Sequence, residues 1–100
     1  MTHITPAELQ TMMKEQDIFL LDVREPDEHA AFNIGGELMP LGDVMNLAST
    51  IPTNKPVIVY CKKGIRSQIA IQRLEDKFGL TNLINLQGGM EAWEKSRNLR

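Results

Sequence analysis

The chain has a single cysteine, Cys61, among its 100 residues, and that scarcity excludes any internal disulfide framework. Its two histidines, His3 and His29, show no metal-ligand spacing with each other or with the thiol, so no metal site is expected. No apolar run approaches the roughly 18 residues that a membrane helix needs, and Met1-Thr2-His3 lacks the charged start of a signal peptide. Neither sign of charge dominates: 11 Lys and Arg against 13 Asp and Glu leave a net charge of −2. That balance gives no reason to expect nucleic acid or a membrane as partner. Internal repeats, low-complexity tracts and linkers are also missing. The absences set an expectation of one domain over residues 1–100, in a reducing cytoplasm where a free thiol stays available for chemistry.

What is there reads as a small α/β protein with a central, mostly parallel sheet and helices on both faces. Thr5-Pro6-Ala7-Glu8 is a capping-box pattern with proline at the first helical position. It predicts a helix from about Pro6 to Glu15, with Leu9, Met12 and Met13 as the buried stripe. Asp17 to Val23 reads as a strand apolar on both faces, as in a parallel sheet. Glu25-Pro26-Asp27-Glu28 predicts a short helix, Leu38 to Leu41 a brief extended piece, and Gly42 to Ala48 another short helix. The turn Asn54-Lys55-Pro56 feeds the strand Val57–Tyr60. Ile65, Ile69, Ala70, Leu74 and Phe78 then recur at helical spacing up to Gly79. Asn82 to Leu86 reads as a third strand, and Met90 to Lys95, with Trp93, as the start of a last helix. Strands alternating with helices point to a parallel sheet, in which ligands bind beyond the carboxyl ends of the strands.

Cys61 occupies such a position. The apolar run Val57-Ile58-Val59-Tyr60 ends at the thiol, and Lys62-Lys63-Gly64-Ile65-Arg66-Ser67 leads into a helix. The unpaired amides of a helix N-terminus favour a thiolate, and Gly64 allows the loop to curl back on the sulfur. Lys62 and Lys63 add a cationic rim that attracts small anions. No histidine stands in or beside the loop as a general base. A thiolate made by electrostatics, attacking a soft electrophile whose leaving group needs no proton, fits these residues. Sulfur transfer meets that condition, because sulfite departs as an anion.

Three segments resemble the motifs of the single-domain rhodaneses, the thiosulfate sulfurtransferase family: Leu20-Leu21-Asp22-Val23-Arg24-Glu25-Pro26-Asp27-Glu28, Val59 to Ser67, and Leu86-Gln87-Gly88-Gly89-Met90-Glu91-Ala92-Trp93. Phe32-Asn33-Ile34-Gly35-Gly36-Glu37 departs from the usual Gly-His-Ile-Pro-Gly-Ala of the family, with Asn33 in place of the histidine. The resemblance implies an α/β rhodanese-like fold and a two-step transfer through a Cys61 persulfide. The backbone from Lys62 to Ser67 then forms an anion cradle, with Lys62 and Lys63 as donor-attracting charges. It implies a small-molecule sulfur donor, a thiol or cyanide acceptor, and no metal or organic cofactor. Four residues separate Cys61 from Arg66, whereas phosphatases on this scaffold carry one more, which argues against phosphate or arsenate chemistry. The alternative of a different class is a persulfide carrier in a protein sulfur relay.

Other residues have plainer readings. Arg66 fits an anion-loop role and a structural pairing equally. Asp22 and Arg24 are expected to brace the loops through an ion-pair and hydrogen-bond network. Trp93 and Met90 read as packing, His29 as surface, Asn33 as a turn residue, and Phe32 and Phe78 as core.

Overall fold

Thr5, Pro6 and Glu8 start the first helix in the way their order predicts. The Thr5 hydroxyl accepts from the Glu8 amide at 3.2 Å, and the Glu8 carboxylate accepts from the Thr5 amide at 2.9 Å. The computed structural model describes residues 1–98; residues 99 and 100, the end of the expected domain span, lie outside the described residues. Its elements are β1 (Thr2–Ile4), α1 (Pro6–Glu15), β2 (Phe19–Asp22), α2 (Pro26–Ala31) and β3 (Glu37–Leu38). A 3₁₀ turn at Ala48–Thr50, β4 (Val57–Tyr60), α3 (Ile65–Phe78), β5 (Leu83–Leu86) and α4 (Gly89–Asn98) follow.

The five strands form one sheet in the order β1-β5-β4-β2-β3, and every pairing is parallel. β4 lies in the middle, so Cys61 leaves the sheet at its centre. All four β4 residues are buried, and their alternation serves two cores. Val57 and Val59 join Leu21, Ala70, Ile71 and Leu74 on the α3 face, while Ile58 and Tyr60 join Leu9, Leu86, Met90 and Trp93 on the face of α1 and α4. Each such aliphatic side chain withdrawn from water contributes about 1.5–3 kcal/mol. The expected packing roles of Met90 and Trp93 follow from this placement.

The structure corrects several expectations. One strand was not foreseen, β1, which pairs with β5 at the sheet edge. The brief extended piece expected at Leu38–Leu41 is the two-residue β3, which begins one residue earlier and pairs with β2. The expected helix at Gly42–Ala48 is a series of turns from Leu41, closed by the 3₁₀ turn. On α3 the buried positions are Ser67, Ala70, Ile71 and Leu74, whereas Ile65, Ile69 and Phe78 are exposed. The apolar spacing mixed residues from two faces of that helix. Phe32 is likewise exposed, and on α1 only Leu9 is fully buried, with Met13 exposed.

Candidate active site

Between β4 and α3 the chain turns through Cys61-Lys62-Lys63-Gly64, and the local backbone decides what the sulfur meets. Gly64 caps α3 with φ +94°, a left-handed conformation that side chains resist. The carbonyls of Cys61 and Lys62 are held by α4: the Met90 amide donates to the first at 2.8 Å and the Glu91 amide to the second at 3.0 Å. Gly89 permits that approach, since a Cβ there would fall 2.6 Å from the Lys62 carbonyl carbon. With two carbonyls turned outward, amides turn inward. The Gly64 amide donates to Cys61 Sγ at 3.1 Å and the Ser67 amide at 3.3 Å. Both interactions favour a negative sulfur. Of the expected cradle from Lys62 to Ser67, these are the two amides that reach the atom.

Cys61 is recessed, only 1% exposed, yet it lines a cavity of about 280 Å³ with Lys62, Lys63, Ile65 and Arg66. Lys62 and Lys63 are exposed at the surface. Ile65, 64% exposed, sets an apolar side chain at the same opening. The Ser67 hydroxyl lies 3.5 Å from the sulfur and donates to Asn85 Oδ1 at 2.5 Å.

Arg66 turns to Glu28 of α2, with its two terminal nitrogens donating to the two carboxylate oxygens at 2.7 and 2.9 Å. Glu28 also accepts from the Glu25 amide at 3.0 Å. The Arg66 hydrogen bonds, against a smaller burial effect, bring its carboxyl down to about 2. Beside this pair, Arg24 grips the fully buried Asp22 through Nε at 2.9 Å and a terminal nitrogen at 2.8 Å. Arg24 also donates to the Phe32 carbonyl, which ties the end of α2 to the end of β2. Burial pushes the Asp22 carboxyl up, but hydrogen bonds from Arg24 and His29 outweigh it and hold the group below the usual range. His29 donates from Nδ1 to Asp22 at 2.8 Å and is half-buried, not the surface residue expected. Burial, then the Asp22 charge, push the Tyr60 phenol up to about 12, so it stays uncharged near neutral pH.

Sequence reasoning placed Cys61 and its loop in one cavity but missed three groups: Glu28 as the partner of Arg66, His29 as a partner of Asp22, and Asn85 behind Ser67. A signal existed for the last, because Asn85 interrupts the apolar run of the strand expected at Asn82 to Leu86. Asn33 acts as the expected turn residue, accepting from the Gly35 amide at 2.8 Å.

A thiol at the carboxyl end of the middle parallel strand, reached by the Gly64 and Ser67 amides at the floor of a small cavity, defines the class of the domain. It is α/β, with a recessed cysteine at the switch from strand to helix. The Rhodanese-like domain family matches residues 5–96, and the chain belongs to that family. The family is one of sulfurtransferase-type domains. The chain is 41% identical to the YqhL protein of Bacillus subtilis over 75 residues, covering 74% of this chain and 59% of that protein's length. It is 32% identical to the thiosulfate sulfurtransferase GlpE of Coxiella burnetii over 92 residues, covering 91% of this chain and 85% of GlpE. Among solved structures, a rhodanese-like domain protein of Staphylococcus aureus superposes with a TM-score of 0.85 at 28% identity, covering 93% of this chain and 91% of that one. Among the described residues, no helix is long and apolar enough to cross a membrane.

Proposed function

We propose that the chain is a thiosulfate-type sulfurtransferase in which Cys61 carries the transferred sulfur as a persulfide. The observation that supports this most is the convergence of the Gly64 and Ser67 amides on a sulfur that faces a lysine-rimmed cavity. The Cys61 thiolate attacks the outer sulfur of thiosulfate. A new S–S bond forms, the old S–S bond breaks, and sulfite leaves with the electron pair. The product is a Cys61 persulfide anion, whose terminal sulfur takes the place of the substrate anion in the loop. A nucleophilic acceptor, cyanide or a thiolate, then attacks that terminal sulfur and returns the Cys61 thiolate. No proton moves in either step, which suits a site without a nearby histidine base. Lys62 and Lys63 draw the dianion to the cavity, and Arg24 with Asp22 braces the loop from behind.

The name of GlpE supports thiosulfate as donor, at 32% identity. A second reading, a persulfide carrier in a protein relay, is favoured by one observation: exposed Ile65 at the cavity offers a protein partner an apolar contact. One experiment tests both. Purified protein incubated with thiosulfate alone is expected to gain about one sulfur atom by intact mass spectrometry. Cys61→Ser is expected to gain none and to lose thiosulfate:cyanide transfer while melting like the parent. Absence of loading without a partner protein would leave only the carrier reading, and turnover by Cys61→Ser would remove both.

A further inference from the structure

Behind the sulfur runs a hydrogen-bond chain that the transfer steps above do not use. Asn85 sits in β5, 1% exposed, opposite Val59 of β4 on one side and His3 of β1 on the other. An amide buried there without partners costs about 1–3 kcal/mol, and a leucine would satisfy the sheet better. Asn85 is instead bonded at both ends. Its Oδ1 accepts from the Ser67 hydroxyl at 2.5 Å, and its Nδ2 lies 3.1 Å from His3 Nδ1, which accepts when His3 carries its proton on Nε2. In that tautomer His3 holds the amide nitrogen on its own side and leaves Oδ1 toward Ser67.

The direction of these bonds determines what Ser67 offers the sulfur. A hydroxyl has one hydrogen, and an amide oxygen can only accept. The Ser67 hydrogen therefore lies toward Asn85, and its lone pairs face Cys61 Sγ at 3.5 Å. A lone pair there accepts from S–H and opposes a thiolate, against the pull of the two loop amides.

We propose that Asn85 is a positioning residue that withholds the Ser67 hydroxyl hydrogen from Cys61, so that Ser67 supports the protonated thiol while the loop amides support the thiolate. The gain is in nucleophilicity, since a thiolate that is stabilised too far becomes a weaker attacking group. The inference rests on Cys61 being the nucleophile proposed above.

Its test is the rate of Cys61 alkylation by iodoacetamide as a function of pH, with circular dichroism to establish folding. Asn85→Leu frees the Ser67 hydroxyl to donate to sulfur. A hydrogen bond to a charged group, reduced by the loss of nucleophilicity, gives a reaction roughly threefold faster at about pH 6 and roughly threefold slower at about pH 10. The two profiles should cross. His3→Phe should cross the same way with a smaller amplitude, because the amide loses its anchor but stays in place. In a Ser67→Ala background, Asn85→Leu should leave the profile unchanged. Should leucine not be accommodated, Asn85→Ala supports the same comparison. An unchanged profile, a uniform rise or fall at all pH values, or a crossing that persists without the Ser67 hydroxyl would overturn the proposal. Alkylation needs no sulfur donor, so a protein inert to thiosulfate that still shows the crossing loses its proposed function and keeps this inference.

Discussion

The two arginines and the two lysines around the cysteine loop behave in opposite ways. Arg24 and Arg66 each grip a carboxylate with two nitrogens, Asp22 in one case and Glu28 in the other. Lys62 and Lys63 are exposed, and among the described residues neither makes an ion pair. A guanidinium presents several donors in a fixed plane and suits a rigid pairing, whereas an ammonium on a flexible stem stays hydrated and mobile. The two kinds of cation thus divide. The arginines are held in carboxylate pairs, and the lysines stand unpaired at the cavity, the placement that the proposed attraction of an anionic donor needs. Proximity to the thiol does not by itself assign a cation to the substrate.

The most severe way to break this division is Arg24→Ala. It leaves the Asp22 carboxylate buried with His29 as its remaining side-chain partner. Removing one member of a buried pair costs about 3–5 kcal/mol, a large share of what a domain of this size has to lose. Urea denaturation should register that loss. A cost below about 1 kcal/mol, the range of an exposed pair, would mean that Arg24 does not brace the fold.

The lysines should respond in kinetics and not in stability. Lys62→Ala combined with Lys63→Ala is expected to raise KM for thiosulfate roughly three- to tenfold while kcat stays within about twofold, because the charges act on encounter. The parent KM should rise with added salt, and that of the double variant should rise less. An unaltered KM would make both lysines ordinary solvated turn residues and dissolve the contrast with the arginines.

Residues whose roles depend on neighbours in sequence were the most legible. The capping box at Thr5–Glu8, the β-branched run before Cys61, and Gly64 beyond it each carry a local physical signal, and α1, β4 and the cysteine loop form where those signals lie. Pairings across the chain were not legible. Glu28 and Arg66 are 38 positions apart, and nothing within α2 marks which acid faces α3. β1 escaped for a related reason: three residues carry too little periodicity, and its strand character comes from its register with β5. On α3 the period was right, and the expected stripe mixed two faces, with Ala70 and Leu74 buried but Ile65, Ile69 and Phe78 exposed. Ile65 and Ile69 share the helical spacing with Leu74, but the sheet covers Ala70, Ile71 and Leu74, which leaves the first turn's isoleucine in solvent.

The smallest effect is the sharpest test of Arg66. Its bond to Glu28 lowers that carboxyl from 4.5 to about 2, so the pair's contribution is complete above about pH 4.5 and is lost as pH falls toward 2. Both side chains are partly exposed, 33% for Arg66 and 26% for Glu28, and solvent screening limits the pair to about 1 kcal/mol. Glu28→Gln should therefore melt about 4–8 °C below the parent at neutral pH. The gap should close in the acid window, because the parent loses there what the variant never had. Asp22 titrates in both proteins and cancels from the difference. A gap that stays constant from neutral pH down to about pH 2 would mean that the Glu28 charge does not hold Arg66. Arg66 would then stand with the lysines as a cation free to meet the substrate, and the cavity would attract its donor with three charges in place of two.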